Sequence, residues 1–217
     1  MPHRERLPGL RRITFAVLGL IVLTAFAAGP AAAYNGGAAA AWADSHALNY
    51  NCSQLPCDDN DCTNFVSLAM NLGGGYPQVL GIGVPSDDSL WFNVVGGLGQ
   101  WNQSWSWAYV QDQYQFQMVH SPGGYKFGTA PGTAGWPFSG LVPGDLLFYD
   151  WDSNGSLDHS AIQTTRGTDP NWQGGAQYGD LIDEHSNDRA RVWWTLHPYN
   201  PARNNTVITL VHISPSN

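Results

Sequence analysis

The sequence predicts an α+β domain in which helices come first and a mainly antiparallel sheet comes second. Three observations carry this. Alanine-rich or apolar-periodic stretches, Ala38 to Ala47 and Cys62 to Leu72, fill the first half. Short β-branched and aromatic segments bounded by turn residues fill the second. Strands that follow one another without intervening helices pair most simply with their sequence neighbours, as antiparallel partners.

The alanine stretch loses little side-chain entropy on folding, which favours helix. A polar loop holding Cys52, Pro56, Cys57, Asp58 and Asp59 leads to a second helix, which Asp61 can cap and Gly73-Gly74-Gly75 ends. Within it Cys62, Val66, Ala69 and Met70 fall at i, i+4, i+7 and i+8, so the cysteine points the way the apolar face points. Pro77 to Gln103 is rich in Gly, Pro and Asp and reads as surface-covering loops. Ser104 can cap a third helix running to about His120, with Trp107, Val110, Tyr114 and Met118 on one face. A Gly/Pro linker, Ser121 to Pro143, precedes five strands: Asp145 to Asp150, His159 to Thr165, Asp180 to His185, Arg191 to Thr195 and Thr206 to Ile213.

The 217 residues suit one or two domains, and a hydrophobic fraction of 43% with 10 Trp allows a large core. Arg4, Arg6, Arg11 and Arg12, an apolar run from Ile13 to Ala28 and the ending Ala31-Ala32-Ala33 are the basic, apolar and small parts of a signal peptide. Residues 1–33 are therefore expected to be removed after Ala33, leaving one domain over 34–217, secreted and monomeric, with no membrane partner. The whole chain has 9 basic and 17 acidic residues. Removing four arginines and Glu5 leaves 5 and 16, a net charge of −11. Such an acidic balance excludes a nucleic-acid partner, which needs a basic face.

Three cysteines in an exported chain leave one over if two pair. Cys52 and Cys57 lie in one loop and could close a short ring; Cys62 is then the free thiol. The alternatives are a buried inert Cys62 or a Cys62 that is itself in the disulfide. In the first turn of a helix, unpaired N–H groups and the dipole favour the thiolate, although the Asp61 charge opposes them. A nucleophilic thiol needs a base. His159 opens one strand and His185 ends the next, so antiparallel pairing could bring the two rings together.

The strings Asn60-Asp61-Cys62-Thr63-Asn64-Phe65-Val66-Ser67, Pro143-Gly144-Asp145-Leu146-Leu147-Phe148-Tyr149-Asp150, Asp158-His159-Ser160-Ala161-Ile162 and His185-Ser186-Asn187-Asp188-Arg189 resemble, in this order, the putative amidase domain family. That family is similar to NlpC-type and CHAP-type cell-wall amidohydrolases. The resemblance implies a papain-like fold with Cys62 as nucleophile and His159 as general base and acid. His185 would be the orienting third residue, with Asn187 its rival. It further implies hydrolysis of an amide in peptide or peptidoglycan-like material, with no cofactor required. Asp150-x-Asp152-x-Asn154-Gly155, with Asp158 at the ninth place, matches the first half of a calcium loop, but Ala161 stands where the bidentate Glu belongs, so a polar turn is the simpler reading. Two other function classes fit the same residues: an acyltransferase of transglutaminase-like type, and a catalytically silent binding module.

Overall fold

The computed structural model describes residues 33–49, 61–96, 101–121, 123–172 and 177–214, all within one compact unit, Ala31–Asn217. Residues 1–32 of the expected signal peptide, and the loop with Cys52 and Cys57, lie outside the described residues. No described helix is long and apolar enough to cross a membrane.

The architecture is α+β, as the order of elements predicts. Helix α1 (Gly36–His46) starts at Asn35, whose side chain accepts the Ala38 N–H. Helix α2 (Cys62–Leu68) runs on into a π-helical segment, Ala69–Gly73. Residues 77–92 are loop, as expected, but a small hairpin follows, β1 (Asn93–Val95) with β2 (Trp101–Gln103). The third predicted helix is broken: α3 (Trp105–Ala108) and α4 (Val110–Gln115) meet at an extended Tyr109, and α4 passes into a π-helical segment, Phe116–His120. Ser104 stands at the N-cap position of α3 but makes no capping bond, because its hydroxyl accepts the Phe92 N–H.

The main sheet has six antiparallel strands in the order β3-β8-β4-β5-β6-β7. These are β3 (Gly124–Pro131), β4 (Leu146–Asp150), β5 (His159–Thr168), β6 (Tyr178–Glu184), β7 (Arg189–Trp193) and β8 (Val207–Ile213). Five match the predicted segments. The sixth, β3, lies inside the supposed linker, where Gly124, Gly128 and Pro131 mask a strand; its place at the sheet edge, with a register shift between Lys126 and Gly128, is where such residues are tolerated.

Both faces of the sheet are covered. Leu146, Phe148, Ile162 and Val211 pack with Phe65, Val66 and Met70 of the Cys62 helix and with Trp91 and Trp107. Leu147, Tyr149, Ile182 and Leu210 pack on the other side with Trp193 and Trp194. These four tryptophans are fully buried, so they build the core and do not line a groove. Burying one such ring removes roughly 200 Å² from water.

One close approach fixes α1 on the sheet. Gly36, its first residue, lies against the Pro143-Gly144 turn that feeds β4, and Gly144 has φ +95°. A Cβ on Gly144 would fall 2.2 Å from Gly36 Cα, and the Tyr34 hydroxyl donates to the Gly144 carbonyl at 2.8 Å. Gly144→Ala is expected to lower stability by about 3 kcal/mol through the positive φ and the clash together. Urea unfolding checks this, and an unchanged midpoint would mean that the contact is slack.

Candidate active site

Cys62 is the first residue of α2 and is buried as a free thiol. Every residue of this helix is buried, so the shared apolar face seen in the sequence does not by itself aim the sulfur. Polar side chains of the helix are instead matched one by one. Asn64 Oδ1 accepts from Trp107 Nε1 at 2.8 Å and from Gln103 Nε2 at 3.0 Å. The Ser67 hydroxyl donates to the Trp107 carbonyl at 2.9 Å and accepts from Gln113 Nε2 at 2.8 Å. Buried polar groups must be paired, and here each pairing holds the helix in one rotation about its axis.

His159 is the first residue of β5, directly opposite Tyr149 on β4. Its ring is buried, stacks on Trp151 at 5.4 Å between centroids and is hydrogen-bonded to the Cys62 thiol. Its Nε2 lies 2.6 Å from Glu184 Oε2, an ion-pair contact. Glu184 ends β6, is buried, and pairs through its other oxygen with Arg189, whose guanidinium sits 4.8 Å over the Tyr199 ring. A chain of thiol, imidazole, carboxylate and guanidinium therefore runs from α2 across β5 and β6 to β7.

Electrostatics follow the geometry. Burial alone would push the Cys62 thiol up; the His159 hydrogen bond and charge, the Ser160 backbone N–H and the Thr63 hydroxyl outweigh it and lower the pKa from 9.0 to about 7. Burial would lower His159, but its bonds to Cys62 and Glu184 raise it from 6.5 to about 9. Burial would raise Glu184, yet His159 and Arg189 hold it below the usual carboxylate range. With the thiol titrating below the imidazole, the resting pair between these values is thiolate and imidazolium.

His185 and Asn187 lie in the turn between β6 and β7. The sequence argument brought the two histidines together across adjacent strands, and the strands are indeed adjacent, but alternation sends neighbouring residues to opposite faces. Glu184 therefore meets His159, while His185 turns to the helix side, donates from Nδ1 to Asp61 Oδ2 at 2.9 Å and stacks on Phe65. Asn187 lines a cleft of about 490 Å³ that His159, Glu184, Arg189, Trp151 and Tyr199 also border. Glu184 was missed because strand register, not residue type, selects it; the two-residue period of β6 was the available signal.

The three carboxylates Asp150, Asp152 and Asp158 have oxygens within 4.8 Å of one another, in the loop leading to His159. Those oxygens already accept local backbone N–H groups: Asp150 those of Asn154 and Gly155, Asp152 that of Asn154, Asp158 that of Trp151. These bonds shape the loop that leads into His159.

A family model describing a putative amidase domain matches residues 33–208. No curated protein and no solved structure matches the chain.

Proposed function

The chain belongs to the putative amidase domain family, and on that premise we propose that its amidase chemistry is that of a secreted cysteine hydrolase, with Cys62 as nucleophile, His159 as general base and acid, and Glu184 as the residue that orients His159. The observation that carries the reading is the unbroken contact from a free thiol at a helix start to a buried imidazole and on to a buried carboxylate. A Cys-bearing helix packed on an antiparallel sheet whose strand presents the histidine supports a papain-like arrangement.

With Glu184 at Nε2, Nδ1 is the nitrogen left to exchange a proton with the sulfur. The Cys62 thiolate attacks the amide carbonyl, forming a C–S bond and an oxyanion that backbone N–H groups at the start of α2 are oriented to receive. His159 gives its proton to the nitrogen as the C–N bond breaks, and the amine leaves. His159 then takes a proton from water; the hydroxide adds to the thioester, and its collapse releases the carboxylic acid and restores the thiolate. Throughout, the Glu184 carboxylate stabilises the imidazolium. The substrate class is an amide in cell-wall peptide material, reached outside the cytoplasm after removal of residues 1–33.

Two measurements test this. Iodoacetamide labelling with peptide mapping should modify Cys62 with a midpoint near pH 7, the value set by the His159 contact; a midpoint at the ordinary 9.0 would sink the nucleophile assignment. Incubation with soluble muropeptides, followed by mass spectrometry, should show kcat/KM rising through about 7 as the thiolate forms and falling through about 9 as His159 loses the proton it donates. An amide product after addition of an excess amine would point to acyl transfer instead of hydrolysis.

A further inference from the structure

Asp61 immediately precedes the cysteine, is buried, and occupies the N-cap position of α2 without making a capping bond. An unopposed carboxylate there would disfavour the thiolate one residue away. Its Oδ2 instead accepts from His185 Nδ1 at 2.9 Å, and the imidazole lies flat on Phe65, one turn further along the same helix, with centroids 4.2 Å apart and planes 7° from parallel. The ring is thus held by two points of α2 and by the turn that follows Glu184.

We propose that His185 and Asp61 form a compensating ion pair that cancels the Asp61 charge beside Cys62 and locks the start of α2, making His185 a positioning residue for the nucleophile outside the His159 relay. This rests on Cys62 being the nucleophile. Among the described residues the charged groups facing His185 are Asp61 and, 3.9 Å from its Nε2, Asp188; the His46 carbonyl of α1 also accepts from it. Burial would lower the His185 pKa, but these acceptors, Asp61 foremost, raise it above its ordinary 6.5 and so favour the charged ring.

The test is the pH dependence of Cys62 alkylation by iodoacetamide in the full-length protein, read by peptide mapping. His185→Gln should raise the midpoint by about one unit and slow labelling at pH 6 about tenfold, whereas Asp61→Asn/His185→Gln should return it to within about 0.3 unit of native. A His185→Gln midpoint equal to the native one, or a double variant that stays displaced, overturns the proposal. Should His185→Gln not fold, Asp61→Asn alone carries the test: the ring ¹⁵N shifts of His185 must then titrate lower than in the native protein while the Cys62 midpoint stays, and an unmoved His185 titration overturns the pair. Native Cys62 that labels only at its ordinary pKa overturns the nucleophile reading itself, a result distinct from a native midpoint near 7 that His185→Gln leaves in place.

Discussion

Cys62→Ala should reduce muropeptide hydrolysis by about 10⁴-fold or more, because the thioester forms on its sulfur and, among the described residues, Cys62 is the one thiol. The cost to stability should be only about 1 kcal/mol, since the substitution removes one buried sulfur while His159 keeps its Glu184 contact. Cys62→Ser sharpens the result. It puts a hydroxyl where the thiol stood but raises the nucleophile's pKa far beyond what His159 can offset, so it should be nearly as inactive. Retention of more than about a tenth of native kcat/KM in either well-folded variant would exclude covalent catalysis by this residue.

His159→Ala should cost about 10³-fold in kcat, and it should move Cys62 as well. The imidazole is what overcomes burial at the thiol, so without it the alkylation midpoint should climb from about 7 to beyond the ordinary 9.0. Glu184→Gln separates orientation from charge. It preserves a side chain of the same shape at Nε2, so the loss should be smaller, about 10- to 100-fold. The upper limb of the pH profile should fall below about 9, because one of the groups that raise His159 has gone. An upper limb that stays in place would mean that Glu184 does not act through His159.

Much of this arrangement is readable from residue types. The β4, β5, β6, β7 and β8 segments stand out because β-branched and aromatic runs are framed by turn residues, and Cys62 stands out because Asp61 and the triple glycine bracket its helix. Three features are not readable in this way. Strand β3 carries Gly124, Gly128 and Pro131, and only its edge position permits them. The break at Tyr109 follows from tertiary packing of α3 and α4 on α2, which overrides a continuous helical pattern. The choice between Glu184 and His185 depends on register across β5 and β6, where the ladder shifts between Gln163 and Thr165. A chemical preference for histidine selects His185, whereas the register sets Glu184 against the His159 ring and His185 against Asp61.

The strand order sets a condition on timing. Strand β3 pairs only with β8 among the strands of the main sheet, and β8 alone joins it to β4. A chain emerging from its N-terminus therefore cannot close the sheet until residues 207–213 are free to insert between two earlier strands. Such late, long-range pairing makes for slow folding, and it keeps the nascent chain from reaching its final form while synthesis is still under way.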